Sequence, residues 1–326
     1  MTWRCIALLV LCLFPAATSW GAEAVHGRVL YVDSYHKGYE WSDGIESGVR
    51  SVLGETGVAL RVVHMDAKRN PGPEFARKAA GRVAGIIDEF APDVVITSDD
   101  VAARYVIAER YLDSDIPFVF CGVNWDASAY GLPTDNVTGM VEVDLVQELF
   151  DLLRPYARGA RAGYISGDTP VDRKITGIFN QRFFFGDMRF YAARTMEEFE
   201  ALFLRAQDEV DILFVRNYAG IEGWDPERAR LFVEANTRIP TGAHNPWMAP
   251  YAMITLSKVP QEQGQWAALA ALRILSGTPP SRIPLEVNER AVLTVNMRLA
   301  LATGVILDPA LLEAANFVGD YVGANH

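Results

Sequence analysis

Short apolar runs recur along the chain, each closing in a polar loop and followed by a helical pattern. The first is 29–32, VLYV, with the polar, aromatic loop 33–39 behind it. Trp41, Ile45, Val49 and Val52 then fall at helical spacing. Strand, loop and helix repeat at 58–65 and 74–90, at 93–97 and 101–112, and at 117–121. A helix beginning at Asp144 puts Leu145, Leu149, Leu152 and Leu153 inward and stops at Pro155. A second series follows: strands 161–165, 211–215 and 239–243, and helices 173–185 and 261–275. Strands alternating with helices predict parallel, doubly wound sheets with right-handed crossovers. The fold class expected is α/β, as two similar lobes in series. Asn136 to Met140 reads as a segment passing between them.

In open α/β sheets, ligands bind beyond the carboxyl ends of the strands. Those ends carry Ser34, Tyr35, Tyr39, Trp41, Ser98, Asp99, Asn124 and Trp125 in the first series. In the second they carry Asp168, Asn217, Tyr218, His244, Asn245 and Trp247. A cleft holding a small molecule needs a few fixed polar groups and aromatic walls. All fourteen are therefore candidate ligand contacts, although turn and capping roles account for any one of them alone. Asp99 suits a ligand ammonium, or with Asp100 caps the helix near Val101. Arg216 suits a ligand carboxylate, or is an interlobe charge. A loop tryptophan such as Trp125 or Trp247 packs more often than it stacks on a ligand.

Composition narrows the class. A chain of 326 residues, half of them apolar, is long enough for two cored domains. A net charge of −11 argues against a nucleic-acid partner. At the start, Arg4, the apolar run 6–14 and Ala22-Glu23-Ala24 read as a secretory signal peptide, 1–24, cleaved on export to the periplasm. Of three cysteines, Cys5 and Cys12 fall in that leader, and Cys121 alone cannot form an internal disulfide. No G-x-S-x-G, phosphate-binding loop, dinucleotide fingerprint or H-E-x-x-H occurs. His64-Met65-Asp66 is the nearest approach to a metal pair, and no metal, cofactor or catalytic residue is expected. The reading is a non-enzymatic binding protein; a periplasmic enzyme using the same cleft is the competing class.

Several stretches resemble a known family. SYHKGYEWSDGI, HMDAKR, VVITSDD, PFVFCGVN and TGMVE occur in order, followed by EQGQWAALAALRILSGTPPSRIP and VNMRLALATGVILDPALLEAA. Together they resemble the periplasmic substrate-binding proteins of ABC transporters, over essentially the whole chain after the leader. The resemblance implies the type I periplasmic binding protein architecture: two Rossmann-like lobes, a ligand cleft between them and three crossings. It implies an N-terminal lobe of 25–138 plus about 255–282 and a C-terminal lobe of 139–254 plus about 283–326. It also implies a small-molecule ligand, a permease partner and a monomer that closes on its solute. Similar modules serve as extracytoplasmic sensors for membrane kinases, and with no kinase or cyclase in this chain the free-standing type is expected. Trp125 and Asp126 stand where more variable polar residues are usual, so the pocket chemistry is individual. The ligand expected is amino-acid-like or heteroaromatic.

Overall fold

The structure, a computed structural model, describes residues 25–318. The expected signal peptide lies outside the described residues.

The apolar runs fold as buried strands. β1 (His26–Asp33), β2 (Gly57–His64), β3 (Val94–Ser98), β4 (Phe118–Asn124) and β5 (Val137–Glu142) are joined by α1 (Glu40–Leu53), α2 (Pro73–Phe90) and α3. The last is one turn, Asp99–Ala102, running on in π-helical form through Ala103–Tyr111. With β11 (Glu286–Val287) the strands make a wholly parallel sheet in the order β11-β5-β4-β3-β1-β2. Period-two alternation divides β1 between the two faces. Val29 and Tyr31 pack toward α1, and Leu30 and Val32 toward α2 and α3. A parallel sheet covered on both faces has continuous apolar strands, as found here.

The second sheet has the order β13-β12-β10-β9-β8-β6-β7. Its central strands are β6 (Ala162–Gly167), β8 (Ile212–Asn217), β9 (Thr241–Ala243) and β10 (Ile254–Lys258), with β7 (Arg189–Ala193) at one edge. β12 (Ala291–Val295) runs antiparallel to β10, and β13 (Asn316–Phe317) extends the sheet. Around it lie α4 (Val146–Leu153), α5 (Pro170–Phe183), α6 (Met196–Glu209), α7 (Pro226–Asn236), α9 (Met297–Thr303) and α10 (Pro309–Ala314). The remaining helix, α8 (Pro260–Leu275), returns to the first sheet and packs on α1.

Glycines set the distance between α1 and α8. A Cβ on Gly48 would stand 2.2 Å from the Gln261 carbonyl oxygen, and one on Gly264 2.0 Å from that of Ile45. The two helices therefore touch backbone to backbone.

One sequence expectation is corrected. Asn136 to Met140 is not a passage between lobes: residues 137–142 form β5, inside the first sheet. The chain crosses at 143–145, at Val259 and at 288–290, each slightly later than expected. The Asn288 amide braces the outer two crossings. Its Oδ1 accepts from the Val143 N–H at 2.8 Å, and its Nδ2 donates to the Val143 carbonyl at 3.1 Å.

Candidate functional site

Each sheet reverses its strand order once. The first does so between β1 and β3, the second between β6 and β8. Crevices open at such points, and the residues beyond these strand ends define the site.

On the first lobe, Ser34 and Ser98 turn inward. The Ser34 hydroxyl donates to the Ser98 carbonyl and accepts from the Ala102 N–H at 2.8 Å, so it caps α3. The Ser98 hydroxyl bonds Tyr31 and Asp33. Both side chains are fully buried, with their hydrogen bonds spent inside the lobe. Ser34→Ala is expected to destabilise the protein by about 1–3 kcal/mol, because it orphans a buried N–H; urea unfolding measures it. His64 bonds Asp33 at 2.9 Å rather than pairing with Asp66. That hydrogen bond raises the His64 pKa against a smaller opposing effect of burial.

Asp99 takes the position that capping would leave. Its φ of 67° is in the left-handed region, as is the 63° of Trp125 on the neighbouring strand end. Aspartate tolerates that region better than most side chains. Asp99 caps nothing: its Oδ1 accepts from the Trp41 indole N–H at 3.2 Å, and its Oδ2 is buried with no partner. Burial, then the neighbouring Glu142, Asp33 and Asp100, push its pKa well above the usual carboxylate range. Asp100 is satisfied by Asn124 at 2.7 Å and Tyr130 at 2.8 Å. Tyr35 and Tyr39 meet edge to face at 5.4 Å, with the Lys68 ammonium 5.0 and 4.8 Å from their rings.

Trp125 reaches across. Its ring lies 5.2 Å from Phe179 and 6.1 Å from Phe183 on α5 of the second lobe, under the Arg182 guanidinium at 5.6 Å.

On the second lobe, Asp168 is paired with Arg173 at 2.5 Å and Arg194 at 3.0 Å, and Asn217 accepts from the Ala219 N–H within its own turn. Tyr218 stacks on Trp224 at 5.1 Å, and Asn245 donates to the Arg216 carbonyl. Trp247 stands half exposed on a short helical turn. His244 is buried between Phe179 and Phe214, 5.7 and 5.8 Å from their rings, with Nε2 unpartnered. Burial lowers its pKa to about 4 against the pull of Asp144, so it is neutral at pH 7.

The crossings carry a cluster absent from the sequence reading. Lys258, the last residue of β10, pairs with Glu142 at the end of β5 and with Asp144 at 2.8 Å. Arg216 also bonds Asp144, at 2.9 Å, with Asp172 at 3.9 Å. Arg216 is thus held at the base of the second lobe, between the first crossing and α5. Burial lowers the Lys258 pKa, but Asp144 and Glu142 outweigh it and lift it to about 12. For Asp144, burial is overcome by Lys258 and Arg216, and the pKa falls below the usual range. Glu142 moves the opposite way from an ordinary ion-pair partner. Burial, with repulsion from Asp144 and Asp100, exceeds what its share of one lysine supplies. Asp144, with two cations, stays ionised; Glu142 is the easier to protonate.

The site thus combines aromatic walls, buried carboxylates and paired cations, which suits binding. Cys121 is fully buried, its thiol pKa pushed well up by burial. Among the described residues no cluster of histidine, cysteine, aspartate and glutamate could hold a metal ion, and no helix is long and apolar enough to cross a membrane.

No protein-family model and no curated protein matches the chain by sequence. Solved structures do match its fold. A ligand-free, open substrate-binding protein with adhesive properties from Clostridium difficile superposes with a TM-score of 0.67 at 15% identity, over 90% of this chain and 99% of that one. An ABC domain from Streptococcus pneumonia in complex with L-Trp gives 0.55 at 15%, over 89% and 99%. An ABC transporter solute-binding protein from Agrobacterium vitis with bound allitol gives 0.51 at 14%, over 86% and 99%. A LacI-type transcriptional regulator is also among the matches. The chain therefore has the type I periplasmic binding protein fold, shared mainly by small-molecule binding proteins and regulators.

Proposed function

We propose that this protein captures a small solute between its two lobes and, as a periplasmic protein, delivers it to an ABC-transporter permease. The observation that carries the reading is the opposition of two switch points across three crossings, with aromatic and charged groups at both. The neighbours with bound L-Trp and allitol support binding in such a cleft. The leader read in the sequence supports export.

Thermal-shift screening against amino acids, nucleobases and sugars tests it. A true solute at about 100 times its dissociation constant stabilises the protein by about 2.7 kcal/mol. The same solute is expected to reduce the radius of gyration in small-angle scattering, since ligand selects the closed arrangement. A solute that raises Tm while leaving the radius unchanged counts against closure.

Sensing for a membrane kinase is a second reading; the match to a LacI-type transcriptional regulator shows that the fold also serves in regulation. Co-purification with a permease supports delivery, and co-purification with a kinase supports sensing.

A further inference from the structure

Among the carboxylates of the cleft, Asp99 stands apart in its hydrogen bonds and charge partners. Asp100 has neutral donors in Asn124 and Tyr130, and Asp33 has Ser42, Ser98 and His64. Glu142 and Asp144 divide Lys258, and Asp144 has Arg216 as well. Asp99 has only the Trp41 indole N–H on one oxygen, while the other is buried and bare. The residue is 3% exposed, at the point where the first sheet reverses its strand order.

Gly122 backs the oxygen that Trp41 already holds. A Cβ there would meet Asp99 Oδ1 and the Asp99 backbone nitrogen at 3.3 Å, and the φ of +68° disfavours any side chain. The backbone thus packs close behind the carboxylate, on the side away from its bare oxygen. A buried polar group without a partner is costly, and an anion among other carboxylates more so. A neutral donor would satisfy the hydrogen bond but not the field. A cation answers both. Aromatic faces already receive ammonium groups here: Lys258 lies 5.7 Å from the Trp41 ring and Lys68 5.0 Å from that of Tyr35.

We propose that the Asp99 carboxylate, with the Trp41 and Tyr35 rings beside it, anchors a protonated amine on the bound solute. This rests on the solute-binding reading and narrows it to amine-bearing solutes. The two buried cations, Lys258 and Arg216, are engaged with the protein's own carboxylates, so amine recognition comes first and a ligand carboxylate is not required.

Calorimetry on the wild-type protein and Asp99→Asn tests the proposal with two matched series: phenethylamine, phenylalanine and 3-phenylpropionate, and tryptamine, tryptophan and indole-3-propionate. In at least one series the compounds bearing an amine are expected to bind, and the deaminated acid to bind at least about 30-fold more weakly. Asp99→Asn is expected to cost those amines about 30-fold or more, as when one partner of a buried charged pair is removed. Asparagine keeps the shape and still accepts from Trp41, so its unfolding midpoint should stay near wild type. Trp41→Phe keeps an aromatic face but removes the indole N–H from Asp99, and the preference for amines should survive it. Acids binding as tightly as amines, an Asp99→Asn protein that keeps its amine affinity, or stabilisation by polyols and sugars alone would each overturn the proposal and leave solute binding standing. If no solute of any class stabilises the protein, both fall.

Discussion

Lys258→Met is expected to destabilise the protein by about 3–5 kcal/mol, the usual cost of removing one partner from a buried ionic group. The side chains of Lys258, Glu142 and Asp144 are 14%, 9% and 2% exposed, so solvent screens them little. Without the lysine, Glu142 rises further above its unfolded pKa. A carboxyl raised in the folded state favours folding when protonated and loses that contribution as pH rises through its folded pKa. The deficit should therefore be larger at pH 8 than at pH 5. Wild type behaves in the reverse sense through Asp144. Its lowered pKa contributes stability above the unfolded value of about 3.9, and the contribution is lost on acidification below it. Adding Glu142→Gln to Lys258→Met should restore part of the loss, because Asp144 keeps Arg216. Urea unfolding at the two pH values checks all three statements. A deficit that is small and independent of pH would show that the cluster is solvated in solution.

Gly48→Ala and Gly264→Ala are expected to cost at or above the upper end of the range of about 1–3 kcal/mol found for overpacked sites. In each case the new methyl meets a backbone carbonyl, at 2.2 and 2.0 Å, and a carbonyl in a helix cannot rotate away as a side chain can. Gly85→Ala in α2 is the control. Nothing lies within 4 Å of its Cβ position, so alanine there should stabilise by up to about 1 kcal/mol through helix propensity. Equal melting temperatures for the three variants would mean that α1 and α8 separate easily.

The sequence made the buried parallel strands legible because both their faces are covered: β1, β3, β4, β6 and β8 read as unbroken apolar runs. Others went unread: β7 alternates between buried and exposed positions, α7 carries a charged outer surface, and β10, though buried, interleaves Thr255 and Ser257 with its apolar residues. β5 was hidden for another reason. Thr138 and Gly139 look like turn residues, yet the threonine hydroxyl donates to the Ile283 carbonyl, and the glycine makes room for the Phe120 ring, 2.4 Å from where a Cβ would lie. Both features depend on partners distant along the chain.

The site divides the same way. Strand-end position singled out Asp99, Trp41, Trp125 and His244 as candidates, but could not say that Ser34 and Ser98 face inward, since that depends on which N–H and carbonyl lie behind them. Nor could it link Lys258 with Glu142, 116 residues earlier. Charges on two crossings become partners only once the crossings lie side by side.

The middle crossing also fixes a pivot. Between β10, paired on both sides within the second sheet, and α8, held against α1, stands only Val259. Its successor is Pro260, which confines Val259 to extended conformations; its own angles are −105° and 104°. With the crossings at 143–145 and 288–290, this short link places the expected axis of any turning of one lobe against the other near the crossings. Points near an axis sweep short arcs and distant points long ones. Lys258, adjoining the pivot, keeps its carboxylates near through the whole swing, whereas Trp125 and Phe183 can part. If the lobes swing on a captured solute as proposed, solute bulk would be accommodated at the outer lip rather than at the root of the cleft, as in a calliper with a fixed throat and an adjustable mouth.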